Sequence, residues 1–221
     1  AIADEETLPD INDFSITVLQ NNNVQLSWNK YADFTDGTEI AAGNYTLKAT
    51  YGNIETQGFG APYYEGVKEF SIKKNESTSI SVICYLANVK VTTEYTELFK
   101  KYFTDYTVNI RPAGSTDISF GKNETRAAYV KPGKISIYLS GSKQQGNKVT
   151  FEAATIENAK ARQHYRLKFD VQAGGTELDV SFTDETERVP ITIDISDDAL
   201  NTQPPFFTPT GFESGVAREL T

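Results

Sequence analysis

His164 is the only histidine in these 221 residues, and Cys84 is the only cysteine. Together they narrow the chemistry open to the chain. A Ser-His-Asp triad would have to use His164, yet no serine stands in a Gly-x-Ser-x-Gly elbow. His164 lies beside Tyr165 on the polar phase of an alternating segment, which predicts a solvated or edge position. One histidine and one cysteine do not make a zinc site. Cys84 falls on the apolar phase of Ile80, Val82, Cys84 and Leu86, so it reads as a small buried thiol. No base or electropositive setting near it in the sequence would lower its pKa.

Carboxylates are the other source of chemistry. Asp33, Asp36 and Glu39 share a loop, but not at the 1, 3, 5 spacing of an EF-hand. Asp194, Asp197 and Asp198 cluster at a strand end and could hold calcium together with backbone carbonyls. Asp33, Asp36, Asp194, Asp197 and Asp198 are therefore weak metal candidates, and solvated turn residues are the plainer reading. A carboxylate pair for glycoside hydrolysis is defined by separation in space, which sequence does not contain. No Gly-rich phosphate loop is present. The expectation is a non-enzyme without cofactor.

Aromatic side chains offer binding instead. Gly58-Phe59-Gly60-Ala61-Pro62-Tyr63-Tyr64-Glu65-Gly66 puts three rings on a loop between strands. Phe59, Tyr63 and Tyr64 could stack on a sugar or a partner at small entropic cost. The plainer reading is an Ω-like loop packed on its own aromatics.

The elements that must position these residues are strands. Phe14, Ile16 and Val18 alternate with polar residues, as do Val24, Leu26 and Trp28, and Tyr165, Leu167, Phe169 and Val171. A two-residue period turns one face of each strand to a core and one to water. Short segments of this kind recur along the chain with Gly, Pro and Asn between them, the signature of β-sandwiches. Gln20-Asn21-Asn22-Asn23 reads as a hairpin, because Asn tolerates positive φ. Tyr95, Leu98, Phe99, Tyr102 and Phe103 follow helical spacing instead, with Thr93 or Thr96 as N-cap and Lys100 and Lys101 at the C-terminal end. A helix this short must lay its aromatic stripe on a sheet. Glu152 to Arg162 suggests a second, weaker helical turn.

The expected architecture is all-β, with two tandem antiparallel β-sandwich domains and one short amphipathic helix in the second. Residues 1–9 form a tether, 10–86 the first domain, 87–200 the second with its helix near 94–103, and 201–221 an extended connector. With no methionine anywhere, Ala1 is expected to follow a removed segment, and the connector is expected either to dock its aromatics back on the body or to begin something omitted. No apolar run is long enough to span a membrane. A net charge of −9 and a pI near 4.7 repel nucleic acid and anionic lipid, so neither is an expected partner. Sequons at Asn44, Asn75 and Asn123 are no more than an Asn- and Thr-rich chain produces by chance.

Several stretches carry a resemblance: Ala49-Thr50-Tyr51-Gly52-Asn53, Pro62-Tyr63-Tyr64-Glu65-Gly66, Leu86-Ala87-Asn88-Val89-Lys90-Val91, Phe99 to Tyr106, Arg126-Ala127-Ala128-Tyr129, His164-Tyr165 and Gly211-Phe212. Together they resemble a domain family of Bacteroides-type surface lipoproteins with no established activity, similar to fimbrillins, whose two-domain transthyretin-like build the resemblance implies here, with Val216 to Thr221 running toward a further C-terminal region. The resemblance implies export, a lipid anchor on a cysteine upstream of Ala1, a cell-surface location and a structural or adhesive role. It implies partners among cell-surface glycans or proteins, or other pilus or adhesin subunits, with contact to the membrane only through that anchor. Fimbrillins are matured by cleavage after a basic residue in the first strand, whereas this chain has no Lys or Arg before Lys30. A carbohydrate-binding surface module using Phe59, Tyr63 and Tyr64 is the alternative.

Overall fold

The computed structural model describes residues 8–35, 38–143, 146 and 148–171, and the backbone of residues 178–186 and 191–202. Strands follow one another through most of it: β1 (Ser15–Gln20), β2 (Asn23–Trp28), β3 (Thr38–Ile40), β4 (Gly43–Tyr51), β5 (Gly58–Phe59), β6 (Tyr64–Ile72), β7 (Thr78–Leu86) and β8 (Val89–Tyr95). After the helix α1 (Glu97–Tyr102) come β9 (Phe103–Pro112), β10 (Ile118–Gly121), β11 (Ala128–Val130), β12 (Gly133–Lys143), β13 (Lys148–Ala159), β14 (Gln163–Val171), β15 (Leu178–Thr186) and β16 (Ile191–Thr202). The two-residue rhythm of the sequence is thus realised as an all-β fold.

These elements form two compact units that interleave along the chain. One unit holds a seven-stranded sheet in the order β2-β1-β4-β6-β7-β16-β3. Its β1–β2 hairpin turns on Asn21 and Asn22, both left-handed at φ 50° and 65°, as a two-residue primed turn requires. Buried residues alternate along β1, β4 and β7 as the sequence predicts, with Ile16, Val18, Leu47, Ala49, Val82 and Cys84 inside. β16 comes back against the 3-10 turn at Ile11–Asp13, just ahead of β1. A flat sheet would keep β16 and β1 about 19 Å apart, so the sheet curls over its own apolar residues.

The other unit is a sandwich of two sheets, β10-β9-β12-β13 and β15-β14-β8-β11-β5. Val108, Ile110, Ile135 and Leu139 from the first meet Val91, Leu167 and Phe169 from the second in one apolar cluster. Thr96 caps α1, its hydroxyl accepting from the Phe99 amide at 3.2 Å. Phe99 is fully buried within this cluster, and Tyr95, Tyr102 and Phe103 pack on it too.

The structure departs from the sequence expectations at several points. The units are not the successive blocks 10–86 and 87–200, because β16 hydrogen-bonds β7 and residues 51–64 pair into the sandwich through β5 and β11. Two strand pairs are parallel, β8 with β14 and β3 with β16, where only antiparallel pairing was expected. Glu152 to Arg162 holds no helical turn; β13 runs through Ala159, since pairing with β12 overrides helix propensity. The apolar phase of β2 is not interior, and Val24 is 60% exposed, because β2 is the sheet edge. Leu98 is 51% exposed, as the helix is only six residues long and turns that position outward. The connector from 203 onward and the tether at 1–7 lie outside the described residues.

These placements set unequal costs. Phe99→Ala should lower unfolding stability by about 3–5 kcal/mol in urea titration, whereas Leu98→Ala should stay within about 0.5 kcal/mol. Burial, with Glu65 adding to it, pushes the Cys84 thiol up to about 11. A thiol reagent at pH 8 should therefore label Cys84 only after denaturant is added; rapid labelling of the native chain would contradict its placement.

Candidate functional site

The loop that carries the aromatic residues is bound into the sandwich along its whole length. Asn53 opens it with an Asx turn, its Oδ1 accepting from the Glu55 amide at 2.9 Å. Gly52 is left-handed (φ 79°), and a Cβ there would collide with the Pro62 carbonyl oxygen, so the two ends of the loop meet at a glycine. Gln57 donates to Ser115 at 2.6 Å and accepts from the Lys131 amide at 2.9 Å, while Glu55 pairs with the Lys131 ammonium. Gly58 and Phe59 form β5 against Tyr129 and Ala128. The Tyr63 carbonyl accepts from the Ala87 amide at 2.7 Å.

This stitching decides what the three rings can do. Phe59 packs edge-on against Phe120 at 5.0 Å between centroids, and the Arg126 guanidinium lies 4.9 Å from its ring centre. Tyr64 is only 7% exposed and starts β6. Tyr63 is half-buried. Phe59 and Tyr63 thus keep part of their surface exposed, whereas Tyr64 is buried.

A buried polar cluster adjoins the loop, and sequence reasoning did not single it out as a site. Asn88, in the turn between β7 and β8, is 1% exposed and donates from Nδ2 to the Ala61 carbonyl at 3.1 Å. Its own carbonyl accepts from the Arg162 amide at 3.2 Å. Arg162 is left-handed at φ 67°, and its guanidinium sits 3.8 Å from the Tyr85 ring centre. Asn88 and Arg162 thereby fasten the loop, the β7–β8 turn and the start of β14 to one another. A polar residue in the turn before β8 was the one signal that could have pointed here.

His164 corrects the sequence reading. It is 4% exposed rather than solvated, because β14 lies between β8 and β15 and is not an edge. Its Nε2 shares a hydrogen bond with the Thr92 hydroxyl at 2.8 Å. Burial holds its pKa down at about 3, with Lys90 and Arg166 adding in the same direction. An imidazole so weakly basic gives little driving force for proton abstraction at neutral pH.

Of the acidic candidates, Asp33 falls among the described residues. Asp33 ends a 3-10 turn at Tyr31–Asp33; the neighbouring Lys30 ammonium is held protonated first by its hydrogen bond to Asp13, with Asp33 adding a smaller charge effect. Asp36 and the side chains of Asp194, Asp197 and Asp198 lie outside the described residues. Among the described residues, no group of three or more His, Cys, Asp or Glu side chains is placed to hold a metal ion.

A family model described as a domain of unknown function, DUF4493, matches residues 1–197. The chain belongs to the DUF4493 family. This DUF4493 chain is similar in structure to a "putative cell adhesion protein" of Bacteroides uniformis, with a TM-score of 0.51 at 13% identity, covering 81% of this chain and 93% of the other. At that identity the likeness is one of fold. A protein of the same description from Bacteroides ovatus aligns at a TM-score of 0.44 and 10% identity, over 80% of this chain and 88% of that one. No curated protein matches the chain.

The depressed His164 pKa has a sign that can be measured. The unfolded chain protonates this imidazole near pH 6.5 and the folded one only near 3. Its contribution to stability is therefore complete above pH 6.5 and is lost as pH falls toward 3. His164→Gln, which can still bond Thr92, should flatten the fall in urea midpoint between pH 6.5 and 4; an unchanged slope would mean that His164 is accessible to protons in the folded state.

Proposed function

We propose that this chain is a non-enzymatic cell-surface module with a structural or adhesive role, fimbrillin-like in build and held on the outer membrane by a lipid anchor in its full-length form. The observation that carries this reading is the fold shared with the Bacteroides uniformis adhesion-type protein over most of both chains. Membership of DUF4493 agrees with it without assigning an activity. The chemistry of the chain supports it as well: the sole histidine is buried and held neutral, and the sole thiol is buried and held protonated. Among the described residues no helix is long and apolar enough to cross a membrane, so attachment in this reading falls to lipid on an upstream cysteine. A net charge of −9 favours glycans, proteins or further adhesin subunits of a surface over nucleic acid.

Cells expressing the full-length gene test this directly. The protein should incorporate a clickable palmitate analogue, be removed by protease added to intact cells, and support adherence that falls several-fold on gene deletion. Protection from protease until lysis, or a deletion strain that adheres as well as its parent, would overturn the reading.

A further inference from the structure

A groove of about 460 Å³ lies in the seven-stranded unit, over β1, β4 and β6. That volume falls within the roughly 300–1,000 Å³ of small-ligand sites. Its lining follows from register. Leu19 stands opposite Thr46 in the β1–β4 pair, and Asn44, two residues earlier, shares that outward face while Tyr45 and Leu47 turn inward. Glu69 and Ser71 occupy the matching phase of β6, and the Ser71 hydroxyl donates to Asn44 Oδ1 at 2.6 Å. The hairpin tip adds Asn21 and Asn22, held in the left-handed region by the two-residue turn.

The donor set is specific in kind. Among the described residues, three primary amides, a carboxylate, three hydroxyls and the Phe70 ring line the groove, and none of the lining residues is Lys, Arg or His. A phosphate, sulfate or sialic acid would therefore meet no counter-charge. Nor does the groove suit a peptide added as a strand, since β1, β4 and β6 are all interior to the sheet and offer no free edge. Amides and hydroxyls at close spacing match a ligand that donates and accepts from adjacent atoms, as vicinal hydroxyls do. With its Oδ1 occupied by Ser71, Asn44 offers its Nδ2 as a donor, Glu69 is an acceptor, and Leu19 supplies an apolar contact for the C–H face of a sugar ring.

We infer that this groove binds a neutral saccharide, at a place separate from the Phe59–Tyr64 loop. The inference deepens the surface-adhesion reading by naming a ligand class, and it rests on that reading.

An array of neutral and sialylated oligosaccharides, followed by titration calorimetry with the strongest neutral hit, tests it on the purified chain. Wild type should bind neutral members in preference to sialylated ones. The double variant Asn21→Gly, Asn22→Gly removes both amides and keeps the left-handed turn, and Glu69→Ala alters an exposed side chain. Each should weaken binding at least tenfold while the melting temperature stays within a few degrees. Absence of binding to every neutral saccharide, a preference for the sialylated ones, or affinity unchanged in both variants would overturn the inference. A deletion strain that loses adherence while the purified chain ignores all neutral glycans removes the groove proposal and leaves the surface role standing.

Discussion

The two-sheet unit depends on a knot of aromatic rings around Phe99. Tyr95, Phe103, Tyr106 and Phe169 lie 4.7–5.9 Å from it, centroid to centroid. Those rings come from β8, β9 and β14, so one side chain on a six-residue helix joins strands of both sheets. Such a helix is too short to persist alone and is held by what it buries. Thr96 secures its start twice: the hydroxyl accepts from the Phe99 amide and donates to Asp170 Oδ1 at 2.6 Å on β14. The cap therefore orients Phe99 and also ties the helix to the sheet it covers.

A second constraint is that the units exchange segments. β16, the last described strand, fills a place between β7 and β3, while residues 51–64 leave the seven-stranded unit to pair in the sandwich. Pairings of such long sequence separation require large loops to close before any contact rewards them, which makes folding slow relative to a helical chain of equal size. Asn88 Nδ2, Gln57 and His164 each make hydrogen bonds that fasten one segment to another. His164 and Cys84, the residues with the richest chemistry, are thus absorbed by the architecture.

Much of this was legible in advance, for local reasons. The Asn21–Asn22 turn, the Thr96 cap and the inward phase of Val82 and Cys84 all follow from backbone geometry within a few residues. The helical look of Glu152 to Arg162 misled because propensity there is overruled by pairing with β12. Val24 misled because alternation states which residues share a face and not whether anything covers it. The groove over β1, β4 and β6 was invisible, as its residues come from three segments whose adjacency no local pattern encodes.

The sequence by itself determined that the chain is built of strands, which side chains share a face, and where one short helix interrupts them. These follow from the two-residue period of an extended backbone and the chemistry of turns and caps. Only the tertiary structure decided which strands are neighbours, and through that which residues are wet. His164 shows the difference: its polar phase was correctly read, yet β8 and β15 on either side make β14 a central strand and leave the ring buried and neutral. Burial is set by partners distant in sequence, and no local pattern contains them.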